Sequence, residues 1–228
     1  MSPSCKIPFD SWPFALSGRV YGALLNQRSA FQSMAGQFEK APYNAPPRAP
    51  VLFVKPRNTL AADGDAVEVP AGEAELEVAA CLGIVIGRTA CRISEAGALD
   101  HVAGFLLVND VSVPHPNYYR PSVRFKARDG FCPLGPRVTP RESAGDPDAL
   151  IIRTFIDGAL VQTASSADLV RSVSRLLADV TDFMTLAPGD VLAAGAAAPA
   201  PRARAGQTVT LESPALGSLT NRIVAGAG

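Results

Sequence analysis

The segment 104–112, Gly-Phe-Leu-Leu-Val-Asn-Asp-Val-Ser, constrains the fold most, because an uninterrupted apolar run leads directly into a carboxylate. The run 105–108 is too short for a globular helix and lies between Gly104 and Asn109, so it predicts a strand that is covered on both faces. A charge at the end of such a strand is costly unless a partner satisfies it. Asp110 therefore either closes a turn through its own backbone or belongs to a site.

Composition limits the classes of protein that fit. The 228 residues, 47% hydrophobic and 18% charged, suffice for a full core in one large or two small domains. Lys+Arg 21 balance Asp+Glu 21, which favours neither nucleic acid nor an anionic membrane as a partner. No apolar run approaches the roughly 20 residues of a membrane span. No signal-peptide core follows the start, so we expect a cytoplasmic protein. The four cysteines form no Cys-x-x-Cys pair, which predicts reduced thiols.

Strand patterns dominate the chain. Apolar or alternating segments predict strands at 19–25, 51–54, 66–70, 78–86, 191–194, 208–211 and 220–224. A helix is predicted within 28–40, and a second helix is predicted to start at a Ser165-Ser166 cap. The apolar positions of the second helix are expected to form one buried stripe: Leu169, Val173, Leu176, Leu177, Val180, Phe183 and Met184. The alanine- and proline-rich segment 196–204 predicts a flexible loop. So few helices favour a mostly β or α+β fold over a doubly wound sheet.

Four segments in order resemble the fumarylacetoacetate hydrolase family. They are Lys-Pro-Arg-Asn-Thr at 55–59, Val-Ile-Gly-Arg at 85–88, the segment 104–112 with its Asn-Asp-Val-Ser core, and 125–136. The similarity extends from Val20 to Val224. It implies a large, rolled mixed β-sheet with few helices, formed by residues 19–228 after an N-terminal extension of residues 1–18.

Within the family, the segments 45–47, 53–59 and 128–133 most resemble the amino-terminal half of the isomerase/decarboxylases of homoprotocatechuate (4-hydroxyphenylacetate) degradation. Those enzymes are tandem duplications or pairs of separate subunits, so the resemblance implies a first subunit. The implied substrates are small polycarboxylates or keto acids, namely 5-carboxymethyl-2-oxo-hex-3-ene-1,7-dioate for decarboxylation and 2-hydroxyhepta-2,4-diene-1,7-dioate for isomerisation. The implied assembly is a homo-oligomer or a hetero-oligomer with a second family subunit.

The resemblance also implies a divalent metal, Mg²⁺ or Mn²⁺, with Asp110 as one ligand. Active members hold it with this aspartate and with a Glu-x-Glu pair, whose alternate positions on a strand face the same way. Here the two glutamate positions fall on Ala79 and Cys81, which predicts a degenerate metal site. Glu75 and Glu77 lie four residues upstream, about 13 Å away along a strand, and are expected at a solvated strand edge.

Two further family motifs are altered. Where active members carry a histidine and a glutamate for acid/base steps, this chain has Ala30 and Ser33, so no general base remains there. The usual Thr-Gly-Thr-Pro, which contacts the substrate carboxylate, is replaced by Ala-Gly-Ala-Ala at 194–197. The losses therefore affect metal binding, proton transfer and substrate contact together.

The polar residues that remain define the candidate site. Lys126 is either a catalytic lysine or an ammonium that neutralises Asp110, and the missing metal favours the second interpretation. His115 either faces a pocket or lies exposed in a loop, the favoured alternative. The candidates are Lys126 and His115 as catalytic residues, and Asn109, Arg120 and Arg128 as substrate-binding residues.

These observations leave three hypotheses. The first is a subunit that keeps the family fold, has lost the metal-binding part of its site and is complemented by a partner with the complete carboxylate set. The second is an independent decarboxylase/isomerase that works without a tightly bound metal through Asp110, Lys126, Arg120 and His115. The third is a structural homologue without catalysis.

Overall fold

A computed structural model describes residues 10–11, 14–115 and 122–226. The helices are α1 (Arg28–Phe38), α2 (Val123–Lys126), α3 (Arg141–Ala144) and α4 (Val173–Thr181), and 3-10 turns span Arg57–Thr59, Glu95–His101 and Ser166–Asp168. The strands are β1 (Asp10–Ser11), β2 (Phe14–Ala15), β3 (Val20–Leu24), β4 (Val51–Lys55), β5 (Leu60–Ala61), β6 (Ala66–Val69), β7 (Leu76–Ile86), β8 (Val102–Ser112), β9 (Cys132–Pro133), β10 (Thr139–Pro140), β11 (Ile151–Ile156), β12 (Ala159–Ser165), β13 (Val191–Ala196), β14 (Arg202–Ala203), β15 (Thr208–Ser213) and β16 (Gly217–Ala225).

Two sheets account for most of the strands. A seven-stranded sheet has the order β10-β8-β7-β13-β3-β4, with β14 paired to β7 outside this path, and a five-stranded sheet has the order β12-β11-β15-β16-β6. Most neighbours are antiparallel, but β13 with β3 and β16 with β6 are parallel. The mostly β, mixed-sheet fold predicted from the sequence is therefore confirmed. Among the described residues, no helix has the length and hydropathy needed to cross a bilayer.

The long hairpin of β7 and β8 forms the centre of the large sheet. Successive side chains of a strand point to opposite faces, so each of these strands contributes to two apolar clusters. Phe105, Leu107 and Val111 pack into the larger cluster, while Leu106 and Val108 pack into the smaller one on the other face. Both faces are thus covered, as the apolar run predicts.

The predicted end of the β8 strand is wrong. The strand continues through Asp110 to Ser112, because Val111 re-enters the core and Glu77 of β7 pairs with Ser112 across the ladder. Asp110 is 4% exposed and lies inside the sheet instead of at its edge. A turn through its own backbone is therefore excluded, and its charge needs a partner in the core.

The predicted start of the second helix is also wrong. Ser165 caps only the 3-10 turn 166–168, whereas Ser172 accepts a hydrogen bond from the Arg175 amide and starts α4. The helix buries a stripe at positions i, i+3, i+4 and i+7, namely Val173, Leu176, Leu177 and Val180. It ends at Thr181, so Phe183 leaves the stripe and is 62% exposed.

The segment 196–204 contains a short strand that the sequence did not predict. Residues Arg202–Ala203 form β14, which pairs with Glu77 and Leu76 of β7. The pairing holds the preceding residues, 196–200, against the end of the β7–β8 hairpin. Residues 197–201 form the loop that connects β13 to β14.

Candidate functional site

A cavity of about 340 Å³ lies against the Asp110 face of the large sheet. Its walls come from β3, α1, β4, β7, β8 and the segment 196–200, and they are mainly apolar. Ala23, Leu24, Met34 and Phe53 line one side. The cavity is large enough for a small organic molecule.

All three altered motifs converge on this cavity. Ala30 and Ser33 of α1, Ala79 and Cys81 of β7, and Ala196 and Ala197 all line it. The strand register fixes their relation, because Ala79 pairs with Asp110 and Cys81 pairs with Ala196. Residues that are far apart in sequence thus lie together in the arrangement that the resemblance implies, with small side chains where functional groups are expected.

Asp110 lies between two lysines. The Nζ atom of Lys126 is 2.6 Å from Oδ2 of Asp110 and donates a hydrogen bond to it. The Nζ atom of Lys55 is 2.9 Å from Oδ1, a contact that is an ion pair without hydrogen-bond geometry. The predicted ion pair between Lys126 and Asp110 is therefore present, but the sequence did not indicate the second ammonium.

Lys55 is 1% exposed and has every N–H group engaged. It donates to the backbone carbonyl oxygens of Val111 at 2.6 Å, Lys126 at 2.9 Å and Phe131 at 2.7 Å. Burial lowers the pKa of Lys55, and Asp110 opposes that effect. Three carbonyl acceptors need three N–H donors, which only the ammonium form supplies, so we treat Lys55 as charged.

The charge on Asp110 is likewise maintained by its neighbours. Burial would raise the pKa of this carboxyl, but Lys126 and then Lys55 outweigh that effect and hold the pKa below its ordinary value of 3.8. One carboxylate and two ammoniums give the buried cluster a formal charge of about +1. Asp110 and Lys126 of this Lys55–Asp110–Lys126 cluster line the floor of the cavity, and Lys55 lies behind Asp110.

The residues of the cavity do not fit Mg²⁺ or Mn²⁺. Such a cation needs several oxygen ligands, whereas Asp110 is already neutralised and Ala79 supplies no donor atom. Burial raises the pKa of Cys81, so its thiol stays protonated and is a poor ligand for a hard cation. Among the described residues, no three His, Cys, Asp or Glu side chains are arranged to hold a metal ion. We therefore assign no role in this cavity to a bound metal ion.

Glu77 lines the cavity. The sequence predicted instead that this residue lies at a solvated edge of the sheet. Its Oε2 accepts from the Ser112 hydroxyl at 3.3 Å, and its Oε1 lies 3.9 Å from Arg202. Glu75 accepts from Arg202 at 2.7 Å and from Arg204 at 3.4 Å. The side chains of both glutamates are only 20% exposed, so the expectation of solvation is wrong. Ionic pairing explains the difference.

His115 also lines the cavity. It is 7% exposed, and its ring stacks on Phe125 with centroids 4.7 Å apart. Its Nδ1 lies 2.9 Å from the carbonyl oxygen of Val113. The favoured exposed-loop position is therefore wrong, and Lys126 and His115 share one cavity as the catalytic hypothesis requires.

Two of the three predicted substrate-binding residues, Asn109 and Arg128, do not line this cavity. Asn109 neighbours Asp110 on β8, so its side chain points to the opposite face of the sheet. Arg128 lies outside the lining, and its Nε donates to the carbonyl oxygen of Arg124. Arg120 lies outside the described residues. The predicted contacts of Asn109 and Arg128 with a substrate therefore find no support in the geometry.

Sequence reasoning missed Lys55 and Phe53 as parts of the site. The ring of Phe53 lies 4.6 Å from Nζ of Lys126 and forms a cation–π contact with it. The available signal was a lysine at the end of the apolar strand 51–54, where burial of the charge requires acceptors. The resemblance included Lys55 in a motif but assigned it no role.

The fold and the site define a mostly β protein with a buried ionic cluster at the floor of a substrate-sized cavity. A model of the family described as "Fumarylacetoacetate (FAA) hydrolase C-terminal" matches residues 19–224. The chain belongs to the fumarylacetoacetate hydrolase family.

Individual relatives agree with this assignment. The chain is 38% identical over 210 residues to the 4-hydroxyphenylacetate degradation bifunctional isomerase/decarboxylase of Salmonella dublin, covering 92% of this chain and 48% of that protein. The structure of 5-carboxymethyl-2-hydroxymuconate delta-isomerase from Mycobacterium smegmatis matches with a TM-score of 0.80 and 28% identity, over 93% of this chain and 81% of that one. The 2-hydroxyhepta-2,4-diene-1,7-dioate isomerase from Mycobacterium marinum matches with a TM-score of 0.75 and 27% identity, over 93% and 77%. The chain spans about half the length of the curated isomerase/decarboxylases it matches.

Proposed function

We propose that this chain is a cytoplasmic subunit of a 2-hydroxyhepta-2,4-diene-1,7-dioate isomerase / 5-carboxymethyl-2-oxo-hex-3-ene-1,7-dioate decarboxylase in 4-hydroxyphenylacetate catabolism. In this proposal, catalysis lies mainly in a partner subunit of the same fold that carries the complete Glu-x-Glu and Asp set. The identity to the Salmonella dublin isomerase/decarboxylase, together with a match to half of its length, supports the assignment.

One observation carries the proposal of a degenerate site. Every position at which the resemblance implies a metal ligand or a general base lines one cavity, and there only Asp110 keeps its functional group. The remaining charges are arranged as a closed ionic cluster with Lys55 and Lys126. Such an arrangement keeps the pocket and its binding surface while removing the parts that stabilise an enolate through a metal.

The experiment compares three samples: this chain, a second family member from the same organism that carries the complete Glu-x-Glu and Asp set, and the two expressed together. We expect a complex on size-exclusion chromatography, turnover of both substrates in the complex and none in this chain alone. The control replaces the Glu-x-Glu pair of the second protein, which should abolish turnover in the mixture. Full turnover by this chain alone would overturn the proposal.

A second candidate is a decarboxylase/isomerase that acts alone and without a metal. The observation that favours it is the shared cavity of Lys126 and His115, where an ammonium could stabilise a developing negative charge and an imidazole could move a proton. In that case, turnover by the isolated chain would resist EDTA and fall at least about 100-fold in both Lys126→Met and His115→Ala. Turnover that depends on the second protein excludes this candidate.

A further inference from the structure

We infer that the cavity is a metal-independent binding site for a small carboxylate anion, held by the surplus positive charge of Lys126. The inference rests on the proposed function in taking the cavity as a substrate pocket. It differs from that proposal in its test, which measures binding by this chain alone. If this chain fails to activate a partner subunit, the inference about anion binding is therefore not contradicted.

The two lysines that contact Asp110 differ in whether they can also contact a ligand. Lys55 does not line the cavity, and its three N–H groups are taken by the carbonyl oxygens of Val111, Lys126 and Phe131. It is fixed behind Asp110 and neutralises that carboxylate from the protein side at 2.9 Å. Lys55 therefore has nothing left to offer a ligand.

Lys126 differs because it faces the cavity. The one hydrogen bond that its Nζ atom makes to a described residue goes to Oδ2 of Asp110, which leaves two of the three N–H groups of the ammonium for a ligand. Since Asp110 is already compensated by Lys55, the charge of Lys126 is in surplus. Phe53 holds the ammonium in place through its ring face, 4.6 Å away.

The surroundings strengthen an ion pair at this position. Ala79, Ala193, Leu24 and Met34 provide apolar walls, and a low local dielectric strengthens a charge–charge contact. Glu77, the other carboxylate among the described lining residues, is directed to Ser112 and Arg202. A carboxylate ligand with a short apolar body therefore matches both the floor and the walls.

The same charges act against a divalent cation. A metal ion at the floor would have to displace Lys126 from Asp110 while remaining close to the fixed ammonium of Lys55. Repulsion between like charges and the shortage of oxygen ligands both oppose its binding. The ammonium pair thus takes the electrostatic place of the metal, and the anion binds to Lys126 directly.

The test is a titration of the purified chain with [1-13C]pyruvate, followed by NMR in the presence of EDTA and then in excess Mg²⁺, which is diamagnetic, after EDTA removal. Pyruvate is a monoanion with a short apolar body, and its methyl ester is the matched neutral probe. We expect pyruvate to bind with the same Kd in both conditions and methyl pyruvate to bind at least about tenfold more weakly. Absence of pyruvate binding in EDTA, a requirement for Mg²⁺, or equal binding of the ester would each overturn the inference.

Two variants assign the binding to Lys126. Lys126→Met should raise the Kd for pyruvate at least about tenfold, whereas Lys40→Met, the same substitution at an exposed lysine, should leave it unchanged. Ala79→Glu places a carboxylate opposite Asp110 and should weaken binding by neutralising the surplus charge. Unchanged pyruvate binding in folded Lys126→Met overturns the inference. If that variant does not fold, the comparison of pyruvate with its ester in the wild-type protein decides.

Discussion

Ala79 lies directly across from Asp110 in the antiparallel ladder of β7 and β8, and both residues line the cavity. A methyl group therefore faces the carboxylate at the position where the family resemblance implies a metal-binding glutamate. Cys81, two residues further along the same strand face, lies at the other implied glutamate position. The backbone that would carry a three-carboxylate site is present, and only side-chain atoms are missing.

The double substitution Ala79→Glu with Cys81→Glu is expected to create a Mn²⁺ site. Three carboxylates on one face supply the oxygen ligands that a hard cation needs, and they also draw Lys126 away from Asp110. We expect saturable uptake of about one Mn²⁺ per chain, measured by electron paramagnetic resonance of the free ion. The single variant Ala79→Glu and the wild-type chain should take up none. A folded double variant that leaves Mn²⁺ free would contradict the predicted ligand positions.

Asp110→Asn is expected to lower the free energy of unfolding by about 3–5 kcal/mol, because it leaves the buried ammoniums of Lys55 and Lys126 without their counter-charge. Urea unfolding followed by circular dichroism measures the change. The matched control is Asp100→Asn, which removes a carboxylate that is 67% exposed and should cost at most about 1 kcal/mol. Equal effects of the two substitutions would argue against a charged cluster.

Acid should remove the stabilisation that Asp110 provides. Its folded-state pKa is held below the ordinary value of 3.8, so the unfolded chain binds more protons between the two pKa values and stability rises with pH there. The contribution is fully present above about pH 5 and is lost as pH falls through the unfolded pKa of about 3.9 toward the folded pKa. The gap in unfolding free energy between the wild type and Asp110→Asn should therefore narrow from pH 6 toward pH 3. A gap that widens in acid would show that the sign of the shift is wrong.

Substitution of Lys55 should mainly reduce stability, whereas substitution of Lys126 should mainly reduce anion binding. Lys55→Met leaves three buried carbonyl oxygens without a hydrogen-bond donor and is expected to lower the free energy of unfolding by about 3 kcal/mol or more. Lys126→Met leaves Asp110 paired with Lys55 and should cost about 1 kcal/mol. Denaturant unfolding of the two variants, read beside their pyruvate affinities, tests this order. A greater loss of stability in Lys126→Met would reverse the roles assigned here.

Two glycines contrast a tightly packed position in the large sheet with an open position on a helix. A Cβ atom at Gly104 would collide with the carbonyl oxygen of Thr139 on the neighbouring strand β10, so Gly104→Ala should cost about 2 kcal/mol or more. At Gly36, on the surface of α1, a Cβ atom meets nothing, and Gly36→Ala should stabilise the chain by about 0.5–1 kcal/mol through helix propensity. Thermal unfolding of the pair should therefore show shifts of opposite sign. Shifts of the same sign would mean that strand β10 yields at this contact.

The strands were predictable because their pattern is local. Continuous apolar runs gave the positions of β4, β7 and β8 to within a few residues at most ends. The start of α4 was missed because Ser165 and Ser172 are equally good capping residues. Long-range contacts hold the intervening segment outside the helix, among them the bridge between Gln27 and Leu169 and the hydrogen bond from the Val170 amide to the carbonyl oxygen of Asn26. A long-range contact of this kind has no signature in the nearby residues.

The candidate site was predicted in part. Strand alternation and family spacing placed Asp110, Ala79 and Cys81 together, and charge balance gave the partner Lys126. Lys55 was missed because its acceptors are backbone carbonyl oxygens of residues 111, 126 and 131, and carbonyl groups are present at every position of any sequence. The burial of His115 depends on stacking with Phe125, which the residue pattern alone does not show.

The Lys55–Asp110–Lys126 cluster also bears on how such a site evolves. A lineage that regained a single glutamate at position 79 would cancel the surplus charge and weaken anion binding, while two carboxylates would still be too few oxygen ligands for a hard cation. A chain with one such glutamate would bind the anion weakly and would still not bind a metal ion. Selection acting on one substitution at a time would therefore oppose the change from this cluster to a three-carboxylate site.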